Sequence, residues 1–212
     1  MLLGCATVPP APDGWHAVTL PGKRPTHYSY TVKDGRPAWR AEADTSASLL
    51  RRRVHVMPER LGTVQFSWWV PALIDGASVS DADLEDSPAR VVFAFAGDRD
   101  KLSVRNRMMF DLARALTGEE PPYATLMYVW ADEAHPVGSV VVSGRSDRIR
   151  KIVVEAGPAQ LGRWRHYRRD LAADYRLAFG EDPGPLVGVA FMTDADNTRS
   201  RAHAWYGEIR LD

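Results

Sequence analysis

Two carboxylates and an amide lie close together near the end of the chain, in Asp194-Ala195-Asp196-Asn197. An apolar run precedes them, so they follow a predicted strand. Carboxylate and amide oxygens are the ligands that Ca²⁺ prefers, and the same groups hydrogen-bond the hydroxyls of a sugar. Asp and Asn also favour turns, where they bond their own backbone. The segment therefore predicts a ligand-contacting loop, with a calcium site or a plain hairpin as alternatives.

A single arginine interrupts an apolar strand. Arg90 precedes Val91-Val92-Phe93-Ala94-Phe95, in which alternation places every second side chain on the core face. A cation in such a strand needs a carboxylate partner or a wet cleft. The candidate partners are Asp194, Asp196 and Glu155. Arg90 is thus either half of a buried ion pair or a clamp for a polar ligand.

Three aromatic residues are candidates for a ligand-stacking surface: Trp69, Tyr128 and Trp130. Trp69 lies opposite its neighbours Phe66 and Trp68 by alternation, and Tyr128 shares a face with Trp130. Exposed aromatic rings form platforms on which sugar rings stack. The alternative is that they fill the space between two sheets, because both faces of these strands carry apolar residues.

No common catalytic motif occurs. The sequence contains no Gly-x-Ser-x-Gly elbow, phosphate-binding loop or dinucleotide fingerprint, and its 6 histidines show no metal-binding spacing. We therefore predict no catalytic residue from the sequence. A pair of carboxylates contributed by different strands would leave no motif, so a glycosidase-like site stays open.

Composition predicts a folded domain and excludes several functional classes. The 212 residues are 45% hydrophobic and 25% charged, as in ordinary globular proteins. The 27 basic and 27 acidic residues cancel, which gives no reason to expect nucleic-acid binding. One cysteine excludes an intrachain disulfide and a multi-cysteine zinc site.

The amino terminus predicts a lipid anchor. Leu2-Leu3-Gly4-Cys5 resembles the bacterial lipobox, in which the cysteine is acylated, and a Pro-rich stretch follows it. We expect lipidation at Cys5, a tether over residues 1–14 and one domain over residues 15–212. This arrangement predicts the cell envelope, either the periplasmic face of the outer membrane or secretion. A frayed terminus with a free thiol is the alternative.

The elements that must position these residues are mostly strands. Alternation predicts strands at 26–32, 38–43, 48–56, 63–70, 90–95, 126–131, 137–143, 151–155, 187–192 and 202–211. Helical spacing predicts helices at 105–116 and 167–179, each followed by a glycine that can end it. Residues 80–88 are expected to form an acidic loop. Without strand–helix–strand alternation, the best architecture is an antiparallel β-sandwich of jelly-roll type with two short helices, and a closed barrel is the alternative.

From about Trp15 to its end, the chain resembles a bacterial family catalogued as domain of unknown function 3047. The resemblance rests on the order and spacing of short motifs: Thr26-His27-Tyr28, Phe66-Ser67-Trp68-Trp69-Val70, Ala89-Arg90-Val91, Tyr128-Val129-Trp130, Asp174-Tyr175, Phe179-Gly180-Glu181 and 192–198. Two segments depart from the family pattern, Glu85-Asp86-Ser87-Pro88 and Arg165-His166-Tyr167. The resemblance implies an envelope or secreted location and a fold similar to carbohydrate-binding sandwiches, and it implies no activity.

Three functions follow from these observations. The first is a non-catalytic envelope module that binds a glycan or similar polar ligand, with Trp69, Tyr128 and Trp130 stacking and Arg90, Asp194, Asp196 and Asn197 hydrogen-bonding. The second is a polysaccharide hydrolase or lyase that uses carboxylates on a sheet face. The third is a structural lipoprotein that packs against an envelope partner through an apolar surface patch.

Overall fold

The computed structural model describes residues 8–212, and most of its elements are strands. Cys5, with its expected acylation, lies outside the described residues. The strands are β1 (Trp15–Thr19), β2 (His27–Lys33), β3 (Arg36–Asp44), β4 (Ala47–Val56), β5 (Thr63–Trp69), β6 (Ser87–Phe95), β7 (Ala124–Ala131), β8 (Val140–Val142), β9 (Ile149–Ala156), β10 (Trp164–Asp170), β11 (Leu186–Asp194), β12 (Arg201–Tyr206) and β13 (Arg210–Leu211). The helices are α1 (Val104–Thr117) and α2 (Leu171–Phe179). In this part of the chain, no helix is both long and apolar enough to cross a membrane.

The strands form two sheets, which confirms the predicted sandwich and not the closed barrel. One sheet has the order β1-β4-β11-β6-β7-β9-β8, and the other has the order β10-β5-β12-β3-β2, with β13 paired to β5. The chain changes sheet at each step from β3 to β6 and from β10 to β12, as in jelly rolls. Pairing is antiparallel throughout the described strands except between β7 and β9, which run parallel.

The core lies between the two sheets. Val91, Phe93 and Phe95 of β6 are fully buried there, as alternation predicts. Phe66 of β5 crosses the gap and stacks on Tyr128 of β7, with 5.3 Å between ring centroids. Each such aromatic side chain contributes roughly 1.5–3 kcal/mol through burial.

The second helix begins later than its spacing predicts. Residues 167–170 belong to β10, where Tyr167 pairs with Phe66 of β5. The carboxylate of Asp170 then accepts a hydrogen bond from the backbone N–H of Ala173 at 2.9 Å, which caps the first turn of α2. Gly180 ends the helix with a φ of 70°, a conformation that favours glycine.

Several other boundaries differ from the sequence prediction. Strand β1 was not expected, and the run 137–143 yields only the three residues of β8. The run 202–211 is divided between β12 and β13 because the chain leaves the sheet after Tyr206. The acidic loop at 80–88 does not stay exposed: Glu85 and Asp86 are 7% and 1% exposed, and β6 starts at Ser87.

Candidate functional site

The two faces of the seven-stranded sheet serve different purposes. In β11, Val189 and Phe191 point into the core, whereas Ala190 and Met192 belong to a separate apolar cluster with Val92 of β6. This second cluster lies on the outer face of the sheet. Strands β6 and β11 therefore carry buried apolar side chains on both of their faces.

A cleft of about 330 Å³ lies on this outer face, and we call it the charged cleft. Its floor is apolar and consists of Leu49, Val92, Ala94, Met127, Ala190 and Met192. Its charged end carries Lys23, Glu85, Arg90, Asp194, Asp196 and Asn197. Arg90 and Asp194 meet at the charged end because β6 and β11 are antiparallel neighbours. The first residue of β6, Ser87, pairs with the last residue of β11, Asp194.

Arg90 and Asp194 form a buried ion pair at the charged end. Arg90 Nη2 lies 3.1 Å from Asp194 Oδ2 and donates to the Glu85 carbonyl at 2.6 Å. The other Asp194 oxygen accepts from the backbone N–H of Ser87 at 3.1 Å. Arg90 is 2% exposed, and its Nε has no hydrogen-bond acceptor among residues 8–212. Of the three carboxylates predicted as partners of Arg90, Asp194 is the one that pairs with it.

A second buried ion pair supports the first, and sequence analysis missed it. Lys151 of β9 is fully buried, with its Nζ 2.7 Å from Glu85 Oε1. Ser143 Oγ donates to the same Glu85 oxygen at 3.2 Å. The available signal was Lys151 itself, a cation within an apolar strand like Arg90. Glu85 gave no signal because it stands in a run of polar residues.

Burial shifts the pKa of one member of each ion pair, Asp194 and Lys151, toward neutrality. Burial raises the pKa of Asp194 to about 7, against the opposing influence of Arg90 and with a further contribution from Asp86. Burial likewise lowers the pKa of Lys151 to about 8; Arg90 adds to this effect and Glu85 opposes it. Asp194 at the charged end, and Lys151, which pairs there with Glu85, can therefore exchange protons near neutral pH.

Three carboxylates cluster beside Arg90. Oxygens of Asp86, Asp194 and Asp196 all lie within 4.8 Å of one another. Each already has protein partners: Asp86 accepts from the backbone N–H of Thr198 at 2.7 Å, and Asp196 pairs with Lys23. A calcium ion prefers six to eight oxygen ligands. Calcium at this loop stays a prediction, and its binding would require these ion pairs to open.

The seven predicted ligand-binding residues do not converge on one site. Arg90, Asp194, Asp196 and Asn197 all line the charged cleft. Tyr128 and Trp130 do not, since both are fully buried in the core. The Tyr128 hydroxyl donates to Asp174 at 2.6 Å, and Trp130 Nε1 donates to the Gly157 carbonyl at 3.0 Å. The expectation that these two rings stack on a ligand is therefore wrong.

Trp69 lies away from the charged cleft, on the outer face of the six-stranded sheet. It packs edge-on against Trp205, with 5.0 Å between centroids, and Lys33 Nζ lies 3.9 Å from its ring centroid. The expectation of an off-core position was correct for Trp69, but the ring is on the opposite sheet from Arg90. A single platform of Trp69, Tyr128 and Trp130 does not form.

Comparison with protein families gives one match over nearly the whole chain. A family model described as "Protein of unknown function (DUF3047)" matches residues 13–210. Among curated proteins, none is significantly similar to this chain.

Comparison with solved structures gives similar folds at very low sequence identity. A family 11 carbohydrate-binding module from Clostridium thermocellum, in complex with a β-1,3-1,4-mixed-linked tetrasaccharide, is 9% identical with a TM-score of 0.45, and the match covers 95% of this chain and 89% of the module. The xyloglucanase domain of a type three effector from Sinorhizobium fredii, in complex with cellobiose, is 9% identical with a TM-score of 0.49, covering 95% and 96%. Endoglucanase 3 of Trichoderma harzianum, from family GH12, is 7% identical with a TM-score of 0.46, covering 96% and 100%. Since these TM-scores lie below 0.5, we draw no functional conclusion from them.

Proposed function

We propose that this chain, which belongs to the DUF3047 family of proteins of unknown function, is a non-catalytic module that binds a glycan or a similar polar ligand in the charged cleft. The family description assigns no activity, so support must come from the site itself. A cleft of about 330 Å³ is within the size range of small-ligand sites and suits one or two sugar rings.

The observation that carries this proposal is the unpartnered Nε of Arg90. Buried donors in folded proteins nearly always have an acceptor, and an unsatisfied one costs about 1–3 kcal/mol. The guanidinium is fixed by Asp194 and the Glu85 carbonyl, so its position is set before any ligand arrives. A hydroxyl or ring oxygen of a sugar would supply the missing acceptor once binding uncovers this N–H, while the apolar floor would take the C–H face of the ring.

The hydrolase or lyase alternative has less support from the geometry. Glycosidases need two carboxylates across an open cleft, about 5–10 Å apart, with room for the sugar between them. The clustered carboxylates of Asp86, Asp194 and Asp196 lie side by side within 4.8 Å and are engaged by protein donors. The site therefore favours binding over bond cleavage.

The experiment is a glycan-array screen of the full chain, followed by calorimetric titration of the best glycan. Ala94→Phe fills the cleft floor without touching the ion pairs, and we expect it to weaken binding at least 10-fold. Ala17→Phe places the same side chain on exposed edge strand β1, outside the cleft, and should leave affinity within 2-fold. Arg90→Gln should weaken binding to a similar extent as Ala94→Phe.

Two results would contradict the proposal. One is the absence of any glycan that binds the folded wild-type chain. The other is unchanged affinity in both Ala94→Phe and Arg90→Gln, with each variant shown to be folded by circular dichroism. Release of new reducing ends from the bound glycan would instead support the hydrolase alternative.

The location at the cell envelope and the lipid anchor belong to the same proposal. Their support is the sequence Leu2-Leu3-Gly4-Cys5 and the Pro-rich stretch after it. Metabolic labelling with a palmitate analogue tests this directly. We expect label in the wild type and none in Cys5→Ser, with membrane association lost in the variant; an unlabelled wild type would contradict the anchor.

A further inference from the structure

The six-stranded sheet opens where β12 ends. Strand β12 separates β3 from β5 only as far as Tyr206, which pairs with Trp39 on one side and with Trp68 on the other. Beyond that point, β3 continues toward Arg36 and β5 continues toward Gln65, but no strand of the described chain pairs with both of them. Residues 207–209 separate from β3 but stay beside β5, where the Gly207 N–H donates to the Ser67 carbonyl at 3.0 Å. A gap therefore leads from the outer face into the space between the sheets.

A cavity of about 600 Å³ occupies this gap, and we call it the aromatic cavity. Eight of its lining residues are aromatic, and they come from both sheets. Trp39 and Trp164 belong to the six-stranded sheet, whereas Trp15 and Phe191 belong to the seven-stranded sheet. Trp15 stacks on Phe191 with 4.7 Å between centroids, and Phe191 stacks on Tyr206 with 4.6 Å, so the inner wall is built of packed aromatic rings. Such a surface favours a ligand with a flat apolar ring.

Two guanidinium groups give the cavity a positive charge. Arg36 and Arg52 line it, and neither has a carboxylate within 4.0 Å in the described chain. Arg36 Nη1 lies 2.7 Å from His166 Nε2. Burial, followed by the charges of Arg36 and Arg165, lowers the pKa of His166, so its neutral ring accepts from Arg36.

The acidic side chain in the wall, Glu208, is already paired with Arg210 at 2.8 Å. Arg52 lies 5.2 Å from the Trp15 ring centroid, which holds its guanidinium against the aromatic wall. The two free positive charges next to an aromatic surface favour an anionic ligand.

Unpartnered donors point to the same ligand chemistry. Trp39 Nε1, Trp164 Nε1 and Arg52 Nε are shielded from solvent and have no acceptor among residues 8–212. All three residues line the aromatic cavity. Buried donors without acceptors are uncommon and costly, so three of them around one cavity need an explanation. Acceptor atoms on a bound ligand would satisfy them once the side chains turn these N–H groups into the cavity.

We propose that the aromatic cavity is a second binding site, distinct from the charged cleft, for a ligand with a flat ring and a carboxylate. The ring packs against the aromatic wall, and the carboxylate meets Arg52 and Arg36. The two sites lie on opposite sides of β11, whose Phe191 lines the aromatic cavity and whose Ala190 and Met192 line the charged cleft. The proposal of a second site can therefore be tested independently of the glycan proposal.

The experiment titrates the full chain with 2-naphthoate by calorimetry and by tryptophan emission. The uncharged 2-naphthalenemethanol has the same ring system and tests the role of charge. We expect 2-naphthoate to bind. Trigalacturonate carries carboxylates on puckered sugar rings, so it tests the role of the flat ring and should bind at least 10-fold more weakly than 2-naphthoate. The neutral alcohol should bind at least 10-fold more weakly than 2-naphthoate.

Matched variants locate the binding. Arg52→Gln should weaken binding of the anionic probe by 10-fold or more, the range expected for a lost charge-assisted hydrogen bond. Arg53→Gln changes the neighbouring arginine, which is 70% exposed and faces Glu119, and should leave affinity within 2-fold. Trp164→Phe removes one indole N–H and should weaken binding about 3- to 10-fold. Trp205→Phe, outside the cavity, should have no effect.

Several outcomes would overturn the second site. They are the failure of 2-naphthoate to bind the folded chain, equal affinity for 2-naphthoate and its neutral alcohol, and an equal loss in Arg52→Gln and Arg53→Gln. Ala94→Phe fills the charged cleft and should leave binding of the anionic probe unchanged. A loss in Ala94→Phe alone would place the probe in the charged cleft and contradict the proposal.

Discussion

At the scale of single residues, the main feature is a set of buried charges that neutralise one another. Arg90 pairs with Asp194 and Lys151 pairs with Glu85, all at the same end of the charged cleft. Burying an ion costs several kcal/mol unless a partner and hydrogen bonds compensate, so these groups depend on one another. The sequence predicted the Arg90 pair because a lone cation in an apolar strand needs a nearby acid. It could not predict that Glu85 is buried, because burial of a loop residue depends on the packing of distant strands.

The raised pKa of Asp194 predicts a pH dependence of stability. Its folded-state pKa is about 7, against a usual value of 3.8, so between these pH values the folded chain keeps a proton that the unfolded chain has lost. The contribution of Asp194 to the free energy of unfolding is therefore full below pH 4 and is lost as the pH rises through 7. Asp194→Asn removes this titration.

Urea unfolding from pH 4 to pH 8 measures the effect. Over this range, we expect the wild type to lose about 4 kcal/mol relative to Asp194→Asn, since one pKa unit corresponds to about 1.4 kcal/mol. The exposed carboxylate of Asp111 provides the control, and Asp111→Asn should track the wild type. Parallel curves for wild type and Asp194→Asn would show that Asp194 stays ionised beside Arg90.

At the scale of elements, alternation predicted which strands exist better than which face is buried. In β6, Val91, Phe93 and Phe95 were correctly assigned to the core. In β7, both faces are covered, because Met127 and Val129 pack against apolar clusters on the outer side. Alternation alone cannot distinguish the two sides of such a strand. Both faces of β7 are buried because it lies inside the sheet, between β6 and β9. Its own sequence does not reveal that position.

The start of α2 was mispredicted because two patterns overlap. Tyr167, Leu171 and Tyr175 are four residues apart and suggest one continuous helix. In the structure, Tyr167 is a core-facing strand residue, and only the later two belong to the helix. The deciding signal is Asp170, whose side chain caps the helix and marks its first turn.

Helix α1 has one buried side and one apolar row that faces solvent. Phe110 is 8% exposed, whereas Val104, Met108, Leu112 and Leu116, spaced by four residues, are each 61–68% exposed. An exposed apolar row of this kind is the feature that the partner-packing alternative predicts. For the isolated chain, these residues contribute little to the free energy of unfolding.

A pair of substitutions in α1 tests this division. Phe110→Ala should lower the free energy of unfolding by about 3 kcal/mol, because it leaves a cavity under the helix. Leu112→Glu should change it by no more than about 0.5 kcal/mol, since the side chain is already solvated. Urea titrations of both variants measure the difference. A large loss in Leu112→Glu would show that the row is covered in the folded chain.

At the scale of the whole molecule, one sheet separates two candidate sites of opposite character. The charged cleft has no aromatic residue in its lining, whereas the aromatic cavity has eight. Residue types and spacing predicted one site for rings and charges together, because they carry no information on which sheet a strand joins. The seven tryptophans divide accordingly: Trp15, Trp39 and Trp164 line the cavity, Trp68 and Trp130 fill the core, and Trp69 and Trp205 lie outside.

Strand order makes the end of the chain essential for folding. Strand β11 lies between β4 and β6, and its removal leaves two partly apolar strand edges without partners. A chain ending at residue 185 lacks β11 to β13, and we expect it to show no near-ultraviolet circular dichroism signal and no cooperative unfolding. A chain ending at residue 209 loses only β13 and Asp212, and should keep the circular dichroism signal and the cooperative unfolding. Cooperative unfolding of the shorter chain would contradict the central role of β11.

The late position of β11 also has a consequence for synthesis in the cell. Strands β4 and β6 leave the ribosome long before residues 186–194, which alone connect them. Until then the sheet consists of two separate halves, β1-β4 and β6-β7-β9-β8, because the pairing that joins them must wait for the final segment. The seven-stranded sheet is therefore completed only near the end of translation, and until then the facing edges of β4 and β6 are open to other binding partners.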